Sequence, residues 1–252
     1  MIVKSIPTDR VLEKLDTYFQ KNDYDAAKRH LLYWLSEAQI MGDQKGILLL
    51  NNELMGLCRK LGEKEQALSF AQKALQQIET MQIQHNIGAA TTYLNSATVY
   101  KAFEMAEQAI PLFEKAKVIY ENNLSADDDR LGGLYNNMAL ALVDLHRFEE
   151  ADVLYRQALS IMQSVPNREP EQAITYLNMA TAAEMQLGLE DAEKIIYDYL
   201  DTAMALLDQC QELQDGNYAF VCEKCAPIFG YYGYFAYEAE LQQRCRRIYE
   251  RA

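Results

Sequence analysis

One short pattern returns along this chain at a nearly constant interval, and the interval limits the possible folds more than any other feature. Leu61-Gly-Glu-Lys-Glu-Gln-Ala67, Phe103-Glu-Met-Ala-Glu-Gln-Ala109, Leu145-His-Arg-Phe-Glu-Glu-Ala151 and Leu187-Gly-Leu-Glu-Asp-Ala192 align on their last alanines. Those alanines lie 42, 42 and 41 residues apart, and an earlier copy, Asn22-Asp-Tyr-Asp-Ala-Ala27, precedes Ala67 by 40. Self-similarity at such a period marks a stacked array, in which each unit buries its apolar side against its neighbours.

Each alanine opens a run with helical spacing. Ala109 is followed by Phe113 and Ala116, Ala151 by Tyr155 and Ala158, and Ala192 by Ile196 and Tyr199. Steps of four and three place such residues on one side of a helix. Upstream lies a matching set: Tyr93, Ser96, Ala97 and Tyr100, then Tyr135, Met138, Ala139 and Leu142, then Tyr176, Met179, Ala180 and Ala183. Each unit therefore reads as helix, tight turn, helix. The chain has only 5 prolines and 11 glycines, which suits an all-α reading because these residues interrupt helices.

These slots resemble the tetratricopeptide repeat, and a length of 40–42 residues without a terminal proline is similar to the long repeats of the kinesin light chain family. The resemblance implies an all-α fold, a right-handed superhelical solenoid of antiparallel helix pairs. Five repeats are expected at 8–42, 43–84, 85–126, 127–167 and 168–213, with a degenerate sixth or capping pair at 216–252. In that last pair Cys225, Ala226, Phe229 and Gly233 resemble a first helix. One domain is expected over 1–252. Ser125-Ala-Asp-Asp-Asp129 offers capping oxygens at a helix start, Pro170 suits a first turn, and Pro111 and Pro227 fall inside expected helices.

At about 100° per residue, Tyr93, Ser96, Ala97 and Tyr100 share one arc and Asn95 points away from it. The same slot holds Asn137 and Asn178 in the next two copies, and Glu53, with Asn52 beside it, in the copy before. First helices of such solenoids line the concave side, and repeats of the resembled family use asparagine here to bond a peptide backbone. The resemblance thus implies a peptide-binding groove with Asn52, Asn95, Asn137 and Asn178 on its floor. Thr98 and Thr181 lie in the same row, and Lys101 and Arg59 flank it, where they could meet an acidic ligand residue or simply be solvated. The asparagines equally suit a structural role, joining neighbouring first helices. Charges along the row are few and mixed, which favours a ligand held through its backbone and small apolar pockets.

A net charge of −13, from 37 acidic and 24 basic residues, excludes the basic footprint that nucleic acid requires, and it opposes anionic lipid. Neither a signal peptide nor a membrane span of roughly 18 apolar residues is expected. Five cysteines without a framework fit a reducing cytoplasm. Cys222-Glu-Lys-Cys225 is a single pair where structural zinc needs four ligands; buried helical thiols are the expectation. No phosphate-binding loop, dinucleotide fingerprint or catalytic histidine spacing occurs. Neither enzyme activity, metal nor cofactor is expected.

The aromatic run Gly230-Tyr-Tyr-Gly-Tyr-Phe-Ala-Tyr237 either plugs the end of the array or forms a self-association surface through Tyr231, Tyr234 and Phe235, giving a monomer or a weak homodimer. Arg244, Arg246, Arg247 and Arg251 are expected to complement a helix dipole. Two functions fit: a non-enzymatic scaffold that binds a protein or peptide partner, and a peptide-signal sensor acting on a separate effector. No helix-turn-helix module precedes Thr8, so a sensor's output would come from that separate partner.

Overall fold

The computed structural model describes residues 5–210 and 215–251. Most of the non-signal-like start and residues 211–213, the expected end of the fifth repeat, lie outside the described residues. Twelve helices form among the described residues, in sequential antiparallel pairs, one pair for each expected repeat. They are α1 (Thr8–Gln20), α2 (Tyr24–Met41), α3 (Gln44–Lys60), α4 (Lys64–Met81), α5 (Ile87–Ala102) and α6 (Ala106–Asn123), followed by α7 (Asp129–Asp144), α8 (Phe148–Ser164), α9 (Glu169–Leu187), α10 (Leu189–Gln209), α11 (Gly216–Tyr231) and α12 (Phe235–Tyr249). The chain divides into two compact units, Met1–Leu124 and Ser125–Ala252.

Within unit 1 each helix packs on the next, and the first helices α3 and α5 also pack on each other. In unit 2 the pairs α7–α8, α9–α10 and α11–α12 pack internally, and the first helices α7, α9 and α11 stack in order. Small residues make this stacking possible. Ala27, Ala67, Ala109, Ala151 and Ala192 are all no more than 1 % exposed, so a larger side chain there would overpack by about 1–3 kcal/mol. Phe113, Tyr155 and Ile196, one turn on, fill the space beside them.

Local chemistry sets the helix ends. Asp23, Asp43, Asn86, Asp128 and Asp215 cap α2, α3, α5, α7 and α11, each accepting a backbone N–H from the first turn. The expected caps in 125–129 thus reduce to Asp128, which accepts from Arg130 N at 3.1 Å. Asp43 does more: its second oxygen accepts the Ile6 N–H at 3.0 Å, and this buried carboxylate ties the chain start to α3. Pro170 sits in the first turn of α9 as expected, and α6 and α11 run on through Pro111 and Pro227.

The turn between the two helices of a repeat carries one residue of positive φ in every copy. Asn22, Gly62, Glu104, His146, Gly188 and Gly233 all take positive φ, from 53° to 88°. In most copies the residue after this one sends its N–H back past the turn, as Glu63 does to Cys58 O and Arg147 to Leu142 O, both at 2.9 Å. The fifth repeat is one residue short, and there Gly188 alone joins α9 to α10 at φ 85°, ψ 158°, a region essentially closed to side-chain-bearing residues. The sixth repeat departs from expectation at Gly233: it lies in this turn at φ 88°, because α11 has already ended at Tyr231.

Candidate functional site

In α5 the helical wheel holds. Tyr93, Ser96 and Ala97 are buried, Ser96 with its hydroxyl 3.8 Å from Met55 Sδ of α3, while Asn95 and Thr98 are half-buried and Thr91 and Ala102 are exposed. The hydroxyls of Thr98 and Thr181 donate to carbonyls of their own helices, Leu94 O at 2.9 Å and Leu177 O at 3.2 Å.

The asparagines are joined in pairs across neighbouring first helices. In unit 1, Asn95 Nδ2 donates to Asn52 Oδ1 at 3.0 Å, and Asn52 Nδ2 donates to Thr92 Oγ1 at 3.0 Å and Leu48 O at 2.9 Å. In unit 2, Asn178 Nδ2 donates to Asn136 Oδ1 at 3.1 Å. Asn136 was missed by sequence reasoning, although Asn52 held the signal: both stand one position before the slot that carries Asn95 and Asn137. Asn137 itself donates to Gly133 O at 2.8 Å, within its own helix. Among the described residues, the Oδ1 atoms of Asn95, Asn137 and Asn178 accept no hydrogen bond, and none of them is among the buried unsatisfied atoms.

Charge on this face differs between the units. Glu53 is half-buried on α3; burial first, and the Asp16 carboxylate of α1 second, push its carboxyl above the ordinary value. Arg59 is exposed, yet loss of hydration pushes its guanidinium below its usual value. Lys101 is half-buried in the last turn of α5. In unit 2, Arg168 bonds Asp129 and, at 3.0 Å, Glu171, whose same oxygen accepts from Asn217 at 3.1 Å. Toward the other end of α9, Glu184 accepts hydroxyls from Tyr231 and Tyr232, each at 2.7 Å. Burial first, and then this bond, raise Tyr232 well above the ordinary tyrosine value.

The aromatic run divides by role. Tyr234 bonds Asp201 at 3.0 Å and packs against Phe229 and Tyr197, whereas Tyr231 and Phe235 remain 69 % and 70 % exposed. Arg244 does not serve a helix dipole. Its guanidinium bonds Asp208 at 2.7 Å, the Tyr218 hydroxyl at 2.9 Å and Glu240, tying α12 to α10 and α11. Cys58, Cys210, Cys222, Cys225 and Cys245 are buried and form no disulfide, and burial pushes Cys210 and Cys222 up to about 11, which makes them poor nucleophiles. No helix among the described residues is long and apolar enough to cross a membrane.

Residues 130–205 match the family model of the tetratricopeptide repeat. No curated protein matches the sequence. Among solved structures, a putative kinesin light chain of Podosopora anserina with nearly identical TPR-like repeats is 17% identical, covering 80% of this chain and 94% of that one with a TM-score of 0.50. BtubC (BKLC) from P. vanneervenii is 19% identical over 93% of this chain and 90% of its own, with a TM-score of 0.55. A Rap protein complexed with competence and sporulation factor is 13% identical over 94% and 73%, also with a TM-score of 0.55. Residues 130–205 are thus tetratricopeptide-repeat sequence by their family match, and the twelve helices share the TPR-like helical-repeat fold of these solved structures.

Proposed function

We propose that this chain is a non-enzymatic scaffold, a single domain over 1–252 acting in the cytoplasm, whose first-helix face binds an extended protein segment or peptide. The observation that carries it is the amide oxygens of Asn95 in unit 1 and of Asn137 and Asn178 in unit 2, none of which accepts a hydrogen bond among the described residues. An amide can serve a peptide group without reading its side chain. Each such bond contributes about 0.5–1.5 kcal/mol, so the set matters more than any member. Packed helices lie about 8–10 Å apart and an extended chain rises about 3.3 Å per residue, so within one unit asparagines on neighbouring first helices would meet about every third ligand residue. The two roles are compatible: the nitrogens of Asn95 and Asn178 join neighbouring first helices, and their oxygens would serve the ligand. Tyr231 and Phe235 would be the contact in a weak homodimer.

Asn137 gives the cleanest test, because its side chain bonds only its own helix. A fluorescein-labelled positional-scanning library of twelve-residue peptides should bind the wild-type chain, and Asn137→Ala should weaken capture by about 3–10-fold at unchanged helicity and Tm. Unchanged capture by the triple variant Asn95→Ala, Asn137→Ala, Asn178→Ala would overturn the proposal. The fold it shares with the Rap protein complexed with competence and sporulation factor favours a second reading, a peptide-signal sensor. Scattering curves that change in dimensions when a library peptide binds would support the sensor, and unchanged curves the scaffold.

A further inference from the structure

We infer that Asn52 is a positioning residue, which holds Asn95 so that unit 1 presents hydrogen-bond acceptors and takes a segment that offers N–H donors. The inference rests on the proposed first-helix site and adds the polarity of what it binds. The Leu48 carbonyl can only accept, so the Asn52 atom 2.9 Å from it must be the nitrogen. Thr92 agrees: its own hydroxyl hydrogen goes to Gly88 O at 3.1 Å, leaving it an acceptor toward Asn52. Asn52 therefore turns its oxygen to Asn95, and Asn95 must answer with its nitrogen at 3.0 Å. A flip of Asn95 would set two oxygens face to face. The Asn95 oxygen is left open on the face.

Unit 2 repeats the residues and lacks the lock. Asn136, Thr175 and Asn178 correspond to Asn52, Thr92 and Asn95, and Thr175 donates to Glu171 O at 3.0 Å just as Thr92 does to Gly88 O, but Asn136 Nδ2 has no partner among the described residues, neither that hydroxyl nor a carbonyl of its own helix. Turning both amides over would preserve the Asn136–Asn178 bond, so polarity there is free. In unit 1 it is fixed, and the slot matching Asn95 one repeat earlier holds Glu53, an acceptor only when ionised. The donors such a face takes are backbone N–H groups or the side chains of Lys and Arg.

The test uses the full chain with ¹⁵N-labelled asparagine. One Asn95 side-chain proton should exchange slowly; Asn52→Asp, which still accepts, should keep that protection, and Asn52→Leu should abolish it. An Asn95 amide indifferent to Asn52→Leu overturns the positioning role whatever binds. With the labelled twelve-residue library, Asn52→Leu should weaken the pools that bind wild type by about 10-fold, and Asn52→Asp by less than about 3-fold. Equal binding by Asn52→Leu and wild type overturns the inference, whereas a wild-type chain that captures no pool overturns the first-helix site itself. On a bound peptide, loss of affinity after N-methylation of one backbone position identifies main-chain donors. Loss after replacing Lys by norleucine or Arg by citrulline identifies side-chain donors. Affinity unchanged by all three modifications overturns the donor assignment.

Discussion

Unit 1 and unit 2 are built from the same repeat but dispose of their polar groups differently where first helices meet. Unit 2 ties α7, α9 and α11 along their length, through Asp129–Arg168–Glu171–Asn217, Asn136–Asn178 and Glu184 with Tyr231 and Tyr232. Unit 1 has the Asn52–Thr92–Asn95 set and leaves Glu53 beside Asp16 without a donor among the described residues. The repeat fixes the backbone and the buried alanines; the face it exposes is unconstrained by packing and can hold either ties or open acceptors. Unit 2 has invested its charged groups in cohesion, and unit 1 has more to gain from a donor-bearing ligand.

The largest expected effect tests the ties. Glu184→Ala removes the acceptor of two tyrosines, one of them buried, and should destabilise unit 2 by about 2 kcal/mol. Hydrogen exchange should speed up in α9 and α11; unchanged exchange there would mean that the tyrosine clamp contributes nothing to cohesion. Next comes the uncompensated carboxylate of unit 1. Glu53 is held above its ordinary value, so its protonated form is favoured by the fold, and that stability is present at low pH and lost as pH rises through the raised value. Glu53→Gln imitates the protonated form. It should raise Tm at pH 7 by up to roughly 3 °C, with the gain vanishing near pH 3, where the wild type is itself protonated. A gain that persists at pH 3 would trace to something other than charge.

The period of 42 made the helix pairs, their turns and the buried alanines legible, because packing inside a repeat array depends on small and aromatic residues at fixed steps. The 41-residue interval to Ala192 shows that the fifth copy is short, and the fold places the missing residue in the link at Gly188. The first-helix face was legible only in part. Helical geometry gave the direction of Asn95, but its partner depends on the register between helices, and a pattern read within one helix does not contain that. Hence the pattern singles out Asn137 and not its neighbour Asn136, whose partner Asn178 lies on the next first helix. Arg244 reads as a helix-dipole partner for the same reason, since Asp208 and Tyr218, which it bonds, lie 36 and 26 residues away. Glu184 was hidden among ordinary surface carboxylates until the fold brought Tyr231 and Tyr232 onto it.

The smallest expected effect is the one that should not distinguish the units. Glu104 in unit 1 and His146 in unit 2 occupy the left-handed turn position at φ 62° and 56°, where Gly62 stands in the second repeat. A side chain in that conformation costs about 1–2 kcal/mol, and glycine returns about 0.5–1 kcal/mol of it as lost unfolded-state entropy. Glu104→Gly and His146→Gly should therefore each stabilise the chain by about 0.5 kcal/mol, a rise in Tm of roughly 1–2 °C. Near-equal gains would show that the backbone solution is common to both units and that their difference lies in side chains alone. A gain at one position and a loss at the other would place the difference in the turns as well, and the contrast between tied and open faces would then need a backbone cause.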